Sequence, residues 1–239
     1  ASQYFKNDKK LIKINCAEYS NPHEYAKLIG SPPGYIGFNE KGLLSGKAEE
    51  SSQWVILFDE VEKANTKLHD LLLGLLDEGT ITDSHGDVLD FSNSIILFTS
   101  NVGIKENLGR KVLGFGKGVL EYAKIRSAVE DAFKKEFSPE FINRIDKVVH
   151  FNALSLDNVR DITKLNLKNI PVKVTKKLVD YVVAGAYSEE YGARNLKRFI
   201  KQNVTLLIAD KMLAGDKSKV FKPIFIGENL HVDGVSSTI

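Results

Sequence analysis

The sequence predicts an α/β protein, with a parallel sheet whose strands alternate with helices, followed by a smaller, mainly helical subdomain carrying a short sheet. Three observations point there. Residues 54–60 read Trp-Val-Ile-Leu-Phe-Asp-Glu, an apolar run without alternation that stops at two carboxylates. A parallel strand covered on both faces has that pattern. Strand-like runs then alternate with helical periodicity through residue 152, and from 153 to 239 helical patterns dominate until a closing pair of strand-like runs. The expected division is therefore a large α/β subdomain over 1–152 and a small subdomain over 153–239.

The elements follow in order. Residues 11–15 read as a short strand and 22–29 as a short helix. Residues 31–42 hold two prolines and several glycines and read as a loop. After the strand at 54–58, Asn65 can cap a helix carrying Leu68, Leu71, Leu72, Leu75 and Leu76, a stripe that must face a core. Runs at 80–82 and 88–91 flank Asp83-Ser84-His85-Gly86, a hairpin-like turn. A second buried strand is expected at 94–99, ending at Ser100-Asn101. A glycine-dotted loop over 102–118 leads to a helix near 121–137, a helical turn at 139–143 and a strand at 147–151. In the second part, Ser155 can cap a helix to about residue 169, residues 172–174 look like a strand, and Thr175 can cap another helix. A long helix over 195–214 presents Leu196, Phe199, Ile200, Val204, Leu207 and Ile208, and Gly215 is placed to end it. Runs at 219–226 and 230–232 would pair as a closing hairpin.

The bulk numbers exclude several classes. With 43% hydrophobic and 27% charged residues, the chain has ordinary globular composition and no segment suggesting disorder. Its 33 basic and 31 acidic residues leave a net charge of +2, so charge offers no case for nucleic acid or a membrane as partner. No apolar run reaches the roughly 18 residues of a membrane-spanning helix, and the opening residues do not form a signal peptide. The single cysteine, Cys16, rules out an internal disulfide and fits a reducing compartment. A cytoplasmic location is expected, or an organelle matrix if a targeting sequence lies upstream.

Ligands of open α/β sheets bind beyond the carboxyl ends of the strands, which is where Asp59 and Glu60 would stand. In a nucleotide hydrolase the first carboxylate holds Mg²⁺ through water and the second polarises the attacking water. A strand that simply ends in a solvated acidic turn is the other reading of this heptapeptide. Asn101 ends the neighbouring strand, where an amide could position that water or serve as an ordinary turn residue.

From Leu28 onwards the sequence resembles the second ATPase module of the Clp family of AAA+ unfoldases, the ClpB, ClpC and ClpA group. The stretches that carry the resemblance are Leu-Ile-Gly-Ser-Pro-Pro-Gly-Tyr-Ile-Gly at 28–37, Leu-Phe-Asp-Glu-Val-Glu-Lys-Ala at 57–64, Asp-Phe-Ser-Asn at 90–93 and Thr-Ser-Asn at 99–101. Pro-Glu-Phe-Ile-Asn-Arg-Ile-Asp at 139–146 and Gly-Ala-Arg-Asn-Leu-Lys-Arg at 192–198 continue it in the family's order. The resemblance implies the P-loop-type parallel sheet with helices on both faces, a helical lid, ATP and Mg²⁺ as cofactors, and a hexameric ring that threads unfolded or misfolded polypeptides through a central pore.

Roles carry over residue by residue. Asp59 would help hold Mg²⁺, Glu60 would activate water, and Asn101 would be sensor one. Arg144 would be the finger reaching a neighbouring subunit's nucleotide, unless it pairs locally with Asp146 or Glu140. Arg194 would be sensor two on the lid. Gly34, Tyr35, Ile36 and Gly37 would form the pore loop that grips substrate. Leu113, Gly114 and Phe115 resemble the tripeptide with which ClpA- and ClpC-type unfoldases dock on a ClpP-like peptidase, and loop packing accounts for it equally well. The chain also departs from the family. It holds no Gly-x-x-x-x-Gly-Lys-Ser/Thr phosphate loop, and is expected to be a fragment that begins just after one and does not turn over ATP by itself. Glu49, Glu50, Asp87 and Ser92 stand where arginines are common, and a stretch usual between Asn169 and Val172 is missing. A catalytically inactive AAA+-shaped assembly module is the alternative.

Overall fold

The computed structural model describes residues 1–35, 38, 40–103, 119–151, 154–188 and 192–235, with residues 119–125 described in their backbone only. The chain divides into two compact units, Ala1–His150 and Phe151–Ile239.

In the first unit, strands β1 (Leu11–Asn15), β2 (Val55–Asp59) and β5 (Ile95–Phe98) form a parallel sheet in the order β1-β2-β5. The register pairs Asn15 with Asp59 and Phe58 with Phe98, so the carboxyl ends of the three strands lie level. Along β1, Ile12 and Ile14 are buried while Leu11, Lys13 and Asn15 face out. Strand β2 is buried along most of its length, as its unbroken apolar run requires.

Helix α3 (Thr66–Glu78) follows β2 and covers the sheet with its leucine stripe, Leu68, Leu72 and Leu75 being almost fully buried and Leu71 and Leu76 partly so. Asn65 caps it by accepting the Leu68 N–H at 3.1 Å, and Gly79 closes it in the left-handed conformation at φ +69°. Asn65 does more than cap. Its amide donates to the carbonyls of Tyr19 at 2.6 Å and Asn21 at 2.8 Å, tying α3 to the segment after β1. Asn65→Ala is therefore expected to lower stability by about 2 kcal/mol, a cap plus stranded carbonyls, read as a lower urea midpoint at unchanged slope.

Short helices α1 (Ala26–Ile29) and α2 (Leu43–Glu50) pack together, and the hairpin of β3 (Thr80–Thr82) with β4 (Val88–Asp90) lies against α2 and α3. Helices α4 (Val119–Glu136) and α5 (Pro139–Asn143) follow, α5 being capped by Ser138. The expected strand at 147–151 does not form. Val148, Val149 and Phe151 have the composition, but a strand needs a partner, and none lies against them among the described residues; Phe151 is 94% exposed.

The second unit packs helices α6 (Leu156–Leu167) and α7 (Lys176–Ala186) with a long C-terminal helix and the hairpin of β6 (Phe221–Ile226) with β7 (Asn229–Gly234). Ser155 and Asn158 form a capping box and Thr175 caps α7. The strand expected at 172–174 shrinks to one bridge between Val172 and Phe221. The long helix is not uniform: α8 (Leu196–Ile200) passes through a π-helical stretch, Lys201–Thr205, into α9 (Leu206–Leu213). The sequence explains why. Leu196, Ile200, Val204 and Ile208 are all buried at strict four-residue spacing. In an α-helix each such step drifts roughly 40° around the axis, and one wider turn returns them to the core.

Candidate functional site at the sheet's carboxyl end

Asp59 closes β2, and the chain turns sharply at Glu60, which takes the left-handed conformation at φ +57° and ψ +52°. A non-glycine residue holds that conformation at a cost of about 1 kcal/mol and needs its surroundings to impose it. Thr99 does so from the adjacent strand end. Its Oγ1 accepts the Glu60 N–H at 3.1 Å and donates to Asp59 Oδ1 at 2.5 Å, while its carbonyl accepts the Val61 N–H at 3.0 Å. One threonine thus holds the Asp59 carboxylate directly and the Glu60 backbone at the turn.

The remaining contacts are charged. Lys13, one strand over on β1, places Nζ 2.7 Å from Asp59 Oδ2. Lys63 Nζ donates to Glu60 Oε2 at 2.6 Å. Asn101 Nδ2 lies 3.4 Å from Glu60 Oε1, and its backbone N–H donates to Glu62 Oε1 at 3.2 Å. Glu62 Oε2 is buried and has no hydrogen-bond partner among the described residues. The site is nonetheless electronegative inward. Burial first, then the charges of Glu62, Asp59 and Glu60, push the Cys16 thiol up to about 12. Cys16 is expected to stay inert to thiol reagents at pH 8 until the chain unfolds, as timed labelling in urea would show.

Asp59, Glu60 and Asn101 therefore come together, as adjacent strand ends in one sheet must. Lys13, Thr99, Glu62 and Lys63 belong to the same cluster and were not singled out from sequence. Lys13 had a usable signal, an exposed cation at an alternating position two residues before a strand end. Thr99 had none, since its hydroxyl matters only through register.

Arg144 lies elsewhere in the first unit, just after α5. Its guanidinium hydrogen-bonds the Asp77 carboxylate on α3, and NH2 lies 3.4 Å from Glu140. The hydrogen bond to Asp77, with the neighbouring acidic charges, raises its pKa further above the ordinary arginine value. Glu140 was foreseen as a partner; Asp77, distant in sequence, was not. Arg194 sits exposed in the turn before α8, in the second unit. Tyr35 is 68% exposed and follows Gly34 at φ +88°. Ile36 and Gly37, and all of Leu113, Gly114 and Phe115, lie outside the described residues. Glu49 and Glu50, unusual for the resemblance, are matched within the chain by Lys41 at 2.5 Å and Lys47 at 2.6 Å.

Residues 1–148 match the AAA domain of the Cdc48 subfamily, and residues 145–222 match the C-terminal D2-small domain of ClpB. The chain belongs to the Clp-type AAA+ family. The D2-small match makes it that family's second module. It is 37% identical over 230 residues to the chloroplastic chaperone ClpC1 of Oryza sativa subsp. japonica, covering 90% of this chain and 25% of that protein. ClpB of Oceanobacillus iheyensis is 36% identical over 226 residues, with 90% and 28% covered. The ATP-dependent Clp protease ATP-binding subunit ClpA homolog of Cyanidium caldarium is 35% identical over 230 residues, with 90% and 27% covered. The chain thus spans about a quarter of the length of these relatives. Among solved structures, the S. cerevisiae Hsp104:casein complex in its extended conformation gives a TM-score of 0.82 at 29% identity, covering 97% of this chain and 42% of that one. The closed state of Hsp104 with ATPγS and FITC casein gives 0.81 at 30%, covering 97% and 41%.

Proposed function

We propose that this chain is the C-terminal ATPase module of a hexameric, ATP-dependent protein unfoldase that threads polypeptides through a central pore. The observation that supports this most is the cluster of Asp59, Glu60 and Asn101 beyond adjacent strands of one parallel sheet, with Thr99 tying Asp59 to the Glu60 turn and Asn101 against Glu60. Relatives named as ATP-binding and as chaperones, and Hsp104 structures with casein, point the same way.

The donors fit Mg²⁺. Asp59 carboxylate, Thr99 hydroxyl and Asn101 amide are hard oxygens, and no group of three His, Cys, Asp or Glu suited to a metal exists among the described residues. That combination suits an ion held mostly by water and phosphate, with one carboxylate behind it. Asp59 would orient that shell, and Mg²⁺ when bound would neutralise charge on the phosphates. Glu60 takes the proton of the attacking water and Asn101 aims that water. Lys13 pairs with Asp59 before the nucleotide arrives. Arg194 would contact the γ-phosphate from the same subunit. The 239 residues contain no phosphate loop, so turnover requires that one be supplied. A cytoplasmic or organelle-matrix setting belongs to the same proposal, the similar rice protein being named as chloroplastic. Separately, no helix among the described residues is long and apolar enough to cross a membrane.

Arg144 would act on the neighbouring subunit's nucleotide, exchanging Asp77 for phosphate oxygens. Arg144→Ala is expected to stop turnover, and mixing these subunits with Glu60→Gln subunits should restore part of it wherever an intact arginine meets an intact carboxylate. If no mixture recovers activity, Arg144 does not act in trans and its role is the Asp77 pair. A ClpP-like peptidase would dock through Leu113, Gly114 and Phe115. Deleting the three residues should uncouple degradation and spare unfolding.

A second reading, an inactive assembly module, has one observation in its favour. Lys13 and Lys63 already neutralise the two carboxylates within the chain. ATP turnover by the parent decides between them.

A further inference from the structure

The turn at residues 83–87 lies outside the carboxylate cluster, yet it reaches the segment that carries Tyr35 at two points. At the stem, the Ser84 N–H donates to the Ile29 carbonyl at 3.0 Å. Gly30 follows at φ +92°, a conformation that strains any other residue, and a Cβ there would stand 2.6 Å from Ser84 Oγ and displace that hydroxyl. Further along, the His85 ring stacks on Phe38, with centroids 4.6 Å apart and planes inclined by 29°. His85 Nε2 also lies 2.9 Å from the Phe38 carbonyl oxygen. A carbonyl only accepts, so Nε2 carries a proton there.

Phe38 passes the restraint on. Its N–H donates to the Tyr35 carbonyl at 3.2 Å, and the Tyr35 N–H donates to Pro32 at 3.2 Å. The turn itself is held firmly. Asp83 Oδ1 accepts the N–H groups of His85 at 2.8 Å and Asp87 at 3.0 Å. A continuous set of contacts thus runs from the β3–β4 hairpin through His85 and Phe38 to Tyr35.

We propose that His85 is a positioning residue for Tyr35: through Phe38 it sets the direction in which that exposed tyrosine leaves the domain. The proposal rests on the reading of Tyr35 as the residue that grips polypeptide. An aromatic side chain after a glycine at positive φ samples many directions, and ordering it only on contact with substrate costs affinity. The stack and the hydrogen bond meet that ordering cost in advance. Both need a planar ring with an in-plane N–H, which histidine supplies and phenylalanine or glutamine supplies only by half.

Hydrogen exchange on the full-length protein tests the clamp. In His85→Ala the Phe38 amide should exchange roughly tenfold faster, while the Ser84 amide, bonded to Ile29, keeps its protection. His85→Phe and His85→Gln should each lie between. Phe38 exchange unchanged in all three overturns the proposal. If the hairpin itself opens in His85→Ala, seen as loss at Ser84, His85→Phe decides, since it keeps the ring volume; unchanged Phe38 exchange there also overturns it. Threading gives the functional arm. His85→Ala should raise the substrate KM about fivefold with ATP turnover unaltered, and a wild-type KM alongside a threading-dead Tyr35→Ala sinks the positioning role. Normal threading by Tyr35→Ala would instead remove the reading of Tyr35, and with it the role proposed for His85, even where exchange shows the clamp to exist.

Discussion

Glu60→Gln in the full-length parent is expected to bind ATP as the wild type does and to hydrolyse it at least about a hundredfold more slowly, the usual contribution of a positioned general base. The amide keeps the shape of the carboxylate and loses its capacity to accept a proton. The structure adds a condition. Glu60 sits in a left-handed turn imposed by Thr99, so the substitution leaves the backbone in place and the effect isolates chemistry from folding. Its ion pair with Lys63 is partly exposed and contributes little to stability. Nucleotide binding by fluorescence and single-turnover hydrolysis separate the two quantities. Hydrolysis within tenfold of wild type would assign the base elsewhere, with Glu62 the nearest candidate through its bond to the Asn101 N–H. Thr99→Val should mimic a weaker version of the same defect, because it removes the hydroxyl that aligns Asp59 and Glu60 while keeping volume and strand propensity.

Tyr35→Ala should abolish threading of a folded substrate and leave most ATP turnover in place. Tyr35 is 68% exposed, so its ring is open to a partner. Stacking and apolar contact require no particular sequence in the substrate, as the proposed threading of unfolded chains would need. Burying such a ring is worth roughly 1.5–3 kcal/mol, too little for one loop but ample when loops of several subunits act on one polypeptide. Unfolding of a fluorescent substrate, measured beside ATP turnover in the same sample, distinguishes the outcomes. Equal loss of both activities would make Tyr35 a structural residue. Normal unfolding would remove it from the substrate path.

The contrast between these two residues shows what could be read without coordinates. The strand ending at Asp59 and the leucine stripe of α3 were legible because burial on both faces and a helical period each leave a pattern within a dozen residues. The caps at Asn65, Ser155 and Thr175 were legible because a helix start needs an acceptor side chain at one position. The strand expected at 147–151 failed for the complementary reason: a strand exists only with a partner, and composition does not say whether one is there.

By itself, the sequence determined the α/β architecture and most of its elements in order, and it put Asp59 at the end of a buried strand with Glu60 after it, while Asn101 stands three residues beyond the end of β5. Tertiary structure alone decided what surrounds them. Lys13 meets Asp59 because β1 pairs with β2 in a register placing Asn15 beside Asp59. Thr99 meets the Asp59 carboxylate and the Glu60 N–H through the pairing of β2 with β5. Arg144 finds Asp77 rather than a neighbour in sequence, and His85 finds Phe38, across separations of 67 and 47 residues. Such contacts depend on where the chain returns in space. Return is fixed by the packing of whole elements, which no short window of sequence contains.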